Sequence, residues 1–531
     1  MKRWNGWGEE KIFFPLPESA SRYLGSKLGS ISTYPDAAFD QVIARVPPSR
    51  LPSSLLFDID SSIRLQRARG QSLSDWIDMR YGQISSFPDG VVFPEDDVQI
   101  AQIMQQARQE NFVIIPYGGG TSVVGHINPQ GCLPCLCVDL SRMNKLLEFD
   151  EDSHLATFGA GATGPQIESQ LSNFGYTLGH YPQSFEYSTL GGWIATRSSG
   201  QQSYHYGRIE DLFAGGHIET YLGSWDLPAI PATAAGPDLR QLILGSEGRL
   251  GIITRATVRL HSIPEKENFY AVFFHNWKEG IDAVREISQS GIQVSMLRLS
   301  NPLETETTLA LSGKETMVSI ANNGLKFTGF GSDRCLLIFG VTGNRAEFDA
   351  AFQQARSIIR KHHGLFTGTI IGNNWKKSRF LTPYLRNSLW EIGFAVDTLE
   401  TAVPWSRVVS LAAQVIRAVS ESLVTEGESV LTFCHLSHVY LDGASIYTTF
   451  LFRRTADADQ TLERWQKIKK SASEVIVANG GTISHQHGVG KDHAAYLEFE
   501  KGLTGMKLLE GIIGTMDPDK RLNPGKLLKE E

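Results

Sequence analysis

A short apolar run, Phe112–Ile115, ends in Pro116-Tyr117-Gly118-Gly119-Gly120-Thr121-Ser122. Three glycines in a row after a buried strand mark a place where something must approach the backbone closely. Their N–H groups can converge on a phosphate, and Thr121 and Ser122 add hydroxyl donors. A Rossmann turn would need glycine at 118, 120 and 123, but residue 123 is Val. No GxxxxGK[ST] motif occurs, so a Walker loop is excluded too. Read alone, the loop leaves a tight turn without a ligand as an equal alternative.

Other segments of the same texture weigh against a bare turn. They are Gly159-Ala160-Gly161-Ala162-Thr163-Gly164, Pro182 to Trp193, Thr196-Arg197-Ser198-Ser199-Gly200, Tyr206 to Asp211 and Gly245 to Thr254. The 51 glycines in 531 residues exceed the ordinary share of about 7%. Glycine and hydroxyl loops at these intervals suggest a long ligand lined by backbone, such as a dinucleotide with a large planar ring.

Composition sets the outer limits. Hydrophobic residues make up 41% and charged residues 20%, a globular and soluble balance. The net charge of -7 argues against a broad nucleic-acid footprint, while a small anionic substrate needs only one or two local cations. Five cysteines in so long a chain are expected to be reduced, and Cys135 and Cys137 are expected in a buried strand rather than a zinc site. The start MKRWNGWGEEK lacks the apolar core of a secretory signal, no window of ~18 apolar residues occurs, and KLLKEE is no targeting address. A cytoplasmic protein, peripheral to a membrane at most, is expected.

Four stretches differ in texture. Residues 1–81 mix short helical pieces with Trp, Pro and Ser. Residues 82–264 carry the glycine loops and a helix predicted over Glu95–Glu110, with Val98, Ile100, Ile103 and Met104 on its apolar side. Residues 265–459 alternate strands such as Phe269–Phe274 with helices such as Lys278–Ser290 and Ala346–His362. Residues 460–531 return to helix and loop. The pattern predicts an α+β protein of two domains, a ligand-binding domain and an α/β cap, with a C-terminal helical segment completing the site. Polar chemistry gathers in Cys434 to Tyr447, where strand alternation would put Leu436, His438 and Tyr440 on one face. If extended, His485 and His487 would share a face too. A satisfied polar interface is the plainer alternative.

These motifs together resemble the FAD-binding domain of the vanillyl-alcohol-oxidase flavoprotein superfamily, and within it the alkyldihydroxyacetonephosphate synthase family. The likeness extends to Arg3-Trp4-Asn5-Gly6-Trp7-Gly8, Arg67-Ala68-Arg69-Gly70, Glu400-Thr401-Ala402-Val403-Pro404-Trp405 and Ser484 to Lys491. It implies a vanillyl-alcohol-oxidase-type fold and FAD contacts at four places. These are Pro116, Tyr117, Gly118, Gly119, Gly120, Thr121 and Ser122; Gln183, Ser184, Phe185, Glu186, Tyr187, Ser188 and Thr189; Thr196, Arg197, Ser198 and Ser199; and Glu247, Gly248, Arg249, Leu250, Gly251, Ile252 and Ile253. Some relatives tether FAD through a His where Thr121 stands here, so noncovalent FAD is expected.

The resemblance also implies the chemistry. Acyl-dihydroxyacetone phosphate and a long-chain alcohol would give alkyl-dihydroxyacetone phosphate and a fatty acid, through a flavin N5 adduct and without net redox, in ether-lipid synthesis. Tyr440 matches the proton acceptor and donor, and His485 and His487 match two of three consecutive histidines. Arg386 matches the arginine that holds the substrate phosphate, and Arg298 an arginine near the site, with a structural ion pair as its equal alternative. Gln486 departs from the family, whose middle residue is a titratable histidine.

The rival enzyme reading is a FAD-dependent dehydrogenase of D-lactate, glycolate or glycerol phosphate. Relatives of that kind bind a metal through a His-rich strand, but only His435 and His438 stand here, so no metal is expected. A non-enzymatic flavin or lipid carrier is the other rival. The implied partners are a phosphate ester and lipids, with peripheral membrane contact allowed, no nucleic acid, and a homodimer expected.

Overall fold

A computed structural model of the chain describes residues 2–53, 57–311, 325 and 329–529. Those residues form three larger sheets and one two-stranded ribbon. Two of the larger sheets build the glycine-rich lobe. In the first, Cys135–Asp139 lies between Gly90–Val92 and Val113–Tyr117, and all three run parallel. Parallel strands are covered on both faces, and every residue of Cys135–Asp139 is buried. Burial pushes the Cys135 thiol up to about 12, so it packs as a small neutral apolar group.

The helix over this sheet spans Asp97–Gln109, capped by Asp96, whose carboxylate accepts from the Gln99 amide. It buries Ile100, Ile103, Met104 and Ala107, but Val98 is 64% exposed, contrary to the predicted face. At 3.6 residues per turn, Val98 lies roughly 180° around the axis from the mean of the other four. The second sheet of this lobe is antiparallel, in the order Leu146–Asp150, Leu155–Gly159, Ile252–Arg259, Phe213–Thr220, Gly223–Leu227.

The cap is built on a seven-stranded sheet, in the order Leu365–Phe366, Lys266–Phe274, Cys335–Gly343, Met296–Ser300, Leu431–Val439, Gly443–Arg453, Phe394–Pro404. Every pairing is antiparallel. Strand period two is visible in Lys266–Phe274. Phe269, Ala271 and Phe273 pack on one face, while Val272 and Phe274 join the core on the other. That larger core takes in helices Trp277–Gln289, Arg345–Lys361 and Trp405–Glu421. Helices Ala458–Ala478 and Leu497–Met516 follow, the second broken at Gly502.

The N-terminal segment ties the two lobes together. Asn387 donates to the Trp7 carbonyl at 3.0 Å and accepts from the Trp7 amide at 3.2 Å. Trp7 meets the Tyr187 ring edge-on at 5.6 Å, and the Tyr187 and Tyr384 hydroxyls lie 2.7 Å apart. Lys2 donates to the Gly119 carbonyl at 2.7 Å. An Asn387→Ala variant would leave both polar groups of the buried Trp7 backbone unpaired, at a cost of about 1–3 kcal/mol each. Urea unfolding is expected to show that loss, with earlier proteolytic release of residues before Glu9.

Candidate active site

Three of the four predicted cofactor loops, 116–122, 183–189 and 247–253, meet directly. A Cβ on Gly118 would lie 2.3 Å from Thr189 Oγ1, and one on Gly119 would lie 1.8 Å from the Tyr187 carbonyl. Loops 116–122 and 183–189 therefore meet backbone to backbone, which only glycine allows. Pro116 also sits 3.1 Å from where a Cβ on Gly248 would be. Among the described residues, the amides of Gly119, Gly120 and Thr121 have no protein acceptor. Three consecutive unclaimed amides at the end of a strand form a cradle for an anion such as a pyrophosphate, so this segment fits FAD. Thr121 offers no imidazole for a covalent tether.

Other predicted contacts have structural duties. Thr189 caps helix Leu190–Thr196 by accepting from the Gly192 amide, and Ser188 accepts from Trp193 Nε1 at 2.7 Å. Arg249 is 1% exposed and donates to the Asn523 carbonyl. Glu247 receives the amides of Val489 and Gly490 at 2.5 and 2.8 Å, which pins the histidine-bearing loop to the glycine-rich lobe.

That loop delivers His485 to Tyr440. The phenol and His485 Nε2 are 2.6 Å apart. Tyr440 does not continue the alternation of its strand. Ser437 and His438 together oppose Ser445, a bulge between the Leu436–Ile446 and Val439–Ala444 pairs. The bulge buries Leu436 in the cap core and turns His438 and Tyr440 toward the lobe junction, so the predicted common face of 436, 438 and 440 does not form. The His438 and His485 rings stack at 5.0 Å. Burial lowers His438 to about 3, so this ring is neutral, and its Nδ1 lies 3.1 Å from Ser203 Oγ.

Arg208 completes the group. It donates to the Tyr440 oxygen at 3.3 Å and to the carbonyls of His485 and Arg197 at 3.1 and 3.2 Å. Burial pushes the Tyr440 phenol up to about 12, with Arg208 pulling the other way. Behind His485 stands Glu400, 2% exposed, with Oε1 3.3 Å from Nδ1. Burial alone would raise this carboxyl, but His485 beside it holds it well below the usual range. Glu400, His438 and His485 place ligating atoms within 4.8 Å of one another. All three already have protein partners, because Ser437 and Gln486 donate to Glu400.

The two predicted arginines differ. Arg386 donates to the Gln71 carbonyl at 2.8 Å and lies over the Trp76 ring at 4.3 Å, while Nη2 has no protein partner. It is within electrostatic reach of Tyr447, whose ring meets His487 edge-on at 6.0 Å. Arg298 is instead paired with Glu304 at 2.7 Å, and both touch His435 Nδ1. Of its two sequence readings, the ion pair is the one present. His435 stacks on Tyr447 at 4.9 Å, so Arg298 reaches the site only through those rings.

Sequence reasoning missed Arg208 and Glu400. Both lie in motifs singled out above, but their partners are 232 and 85 residues away, beyond any local pattern.

Residues 88–224 match the FAD binding domain family, and residues 263–527 match the C-terminal domain of FAD linked oxidases. An alkyldihydroxyacetonephosphate synthase of Dictyostelium discoideum is 31% identical over 535 residues, covering 99% of this chain and 86% of that protein. The enzyme of the same name from Caenorhabditis elegans is 30% identical, covering 97% and 93%. A solved alkyldihydroxyacetonephosphate synthase structure superposes with a TM-score of 0.85 at 28% identity, covering 98% of each chain.

The Glu304 ion pair gives a pH test. Burial opposes ionisation of Glu304, but Arg298 and His435 override it and set the carboxyl at about 2. A carboxyl depressed on folding stabilises above its unfolded value of about 4.3, and that contribution fades as pH falls toward about 2. Glu304→Gln is expected to cost about 3–5 kcal/mol near neutrality, by stranding Arg298. Urea midpoints from pH 6 down to pH 3 should fall less steeply in the variant than in the parent.

Proposed function

The chain belongs to the alkyldihydroxyacetonephosphate synthase family of FAD-linked oxidases, and on that premise we propose that it exchanges the acyl group of acyl-dihydroxyacetone phosphate for a long-chain alkoxy group. The products are alkyl-dihydroxyacetone phosphate and a fatty acid. FAD is the cofactor, and when bound it supplies an electron sink for the reacting carbon. The Gly119, Gly120 and Thr121 amides would hold its pyrophosphate, without a covalent tether at Thr121.

The observation that carries this reading is the buried Tyr440–His485 pair at 2.6 Å, with Arg208 on the phenol oxygen. Acyl-for-alkyl exchange needs one proton removed from C1 and later returned, with no net electron transfer. A phenol near 12 is protonated at neutral pH and is a weak standing base. Its proton must pass to His485 Nε2 as the C1 proton arrives, and Arg208 steadies the negative charge on the phenol oxygen between those events. The free Nη2 of Arg386 supports its role as the substrate-phosphate clamp, stacked on Trp76 and held by Gln71. Burial draws His487 down, which keeps that ring, edge-on to Tyr447, neutral. Arg298, tied up by Glu304, supports the wall rather than the phosphate.

Lipid substrates call for contact with a membrane surface. Phe499, Leu503 and Leu508 on helix Leu497–Met516 support peripheral attachment, since they are 72%, 69% and 65% exposed.

The test is product analysis by mass spectrometry. Purified holoenzyme with acyl-dihydroxyacetone phosphate and hexadecanol should yield the ether product without an electron acceptor. Reduction of a dye by D-lactate, glycolate or glycerol phosphate, with no ether product, would replace this reading by the dehydrogenase. Tyr440→Phe is expected to lower kcat by about 10²–10⁴-fold while FAD stays bound. Arg386→Lys should act mainly by raising KM for the phosphate ester, because a lysine cannot reproduce the planar fork. For the cofactor loop, Gly119→Ala forces apart loops that leave a Cβ only 1.8 Å from the Tyr187 carbonyl. Flavin fluorescence titration of that apoprotein should show at least a tenfold weaker FAD affinity, of the order expected when a close backbone approach is lost.

A further inference from the structure

Three side chains from distant segments line up behind the reacting phenol. Glu400 comes from strand Phe394–Pro404, His485 from the loop after helix Ala458–Ala478, and Tyr440 from the turn after strand Leu431–Val439. The His485 amide donates to the Glu400 carbonyl at 3.1 Å, so the two residues are fixed through backbone as well as side chain. Nδ1 lies 3.3 Å from the carboxylate, within ion-pair range but not aligned as a hydrogen bond, and Nε2 faces the phenol at 2.6 Å. Glu400 and His485 are 2% and 7% exposed, so water does not compete for either contact.

We infer that Glu400 is a positioning residue for proton transfer at Tyr440: it favours the His485 tautomer with its proton on Nδ1, which turns the Nε2 lone pair toward the phenol and Arg208. This rests on the functional reading above. The transfer balances without electrons. As the C1 proton reaches the Tyr440 oxygen, the phenolic proton moves to Nε2, and the resulting imidazolium faces the Glu400 carboxylate. The reverse movement restores both residues. Glu400 stays ionised throughout, orienting the ring and stabilising its charged form.

The departure at Gln486 belongs to the same arrangement. Its Nε2 donates to Glu400 Oε2 at 2.6 Å, and Ser437 donates to Oε1 at 2.6 Å. Both partners are neutral. A histidine at 486 would set a second titratable ring on this carboxylate, whereas glutamine leaves its charge directed to His485. The other charged or titratable groups facing the pair are Arg208 and Glu210 from the glycine-rich lobe, His438 from the cap strand and His487 from the loop itself.

The test compares holoenzymes of the parent, Glu400→Gln and Glu400→Asp. Glu400→Gln should lower kcat by about 10²–10⁴-fold with KM changed by no more than about threefold, and Glu400→Asp should recover part of the loss. Nitrogen-15 NMR of histidine-labelled enzyme, with His485 identified by its absence in His485→Asn, reads the resting tautomer without any substrate. The parent should show Nδ1–H, and Glu400→Gln should shift toward Nε2–H. Parental kcat in Glu400→Gln would overturn the inference. So would an unchanged His485 tautomer in that variant, or a stoichiometric divalent ion retained by the parent after chelation. If the parent makes no ether product, the functional reading fails, while the tautomer measurement still decides the role of Glu400.

Discussion

The carboxylate of Glu247 is the contact on which the geometry of the junction depends. It lies in the glycine-rich lobe yet receives two amides from the loop that carries His485 and His487, and it lies 3.1 Å from His126 Nε2. Its own carbonyl accepts from Asn523, and its amide donates to Ala195. Five contacts converge on one residue held at a left-handed φ of 53°. Such a backbone costs about 1–3 kcal/mol unless the surroundings over-determine it, and here they do. With the Val124 carbonyl, which accepts from the Lys491 amide, and Arg208, which holds the His485 carbonyl, this anchor sets the depth of the histidine loop against Tyr440.

Charge at the junction is arranged in closed local groups. Glu400 faces His485, and Glu304 faces Arg298 and His435. Each carboxylate stays ionised despite burial because its partners are cationic or can donate. Arg386 is the exception, with burial lowering its affinity for a proton and one nitrogen left unmatched. An arginine in that state has an open place for an anion, which the phosphate of a substrate can fill.

Much of the cofactor lobe was legible in the sequence. Consecutive glycines and hydroxyls report a close backbone approach whatever its cause, and loops 116–122, 183–189 and 247–253 do come together, with 196–199 following Ala195, whose carbonyl accepts from the Glu247 amide. The cause was only partly legible. Gly119 accommodates the Tyr187 carbonyl, and Glu247 and Arg249 serve segments some 240 to 276 residues away. Local pattern carries no record of such partners. The cap alternation was readable along Phe269–Phe274, where both faces are buried against ordinary core. It failed at Ser437–His438, since a bulge inserts one residue without any compositional mark. Arg208 and Glu400 sat in recognisable motifs, but only the folded chain shows what they touch.

Arg208 grips the carbonyl of Arg197 with one nitrogen of the same guanidinium whose other nitrogen touches the Tyr440 phenol. The proton-handling group is thereby moored to the cofactor lobe, while Arg386 sits across the junction on helix Leu385–Glu391 of the cap. Tyr440, just past strand Leu431–Val439, and Glu400, on strand Phe394–Pro404, stand on that same cap, so Arg208 is the group that reaches in from the opposite lobe. A displacement of one lobe against the other would therefore change the reach of Arg208 to the phenol while Tyr440, Glu400 and Arg386 kept their places relative to one another.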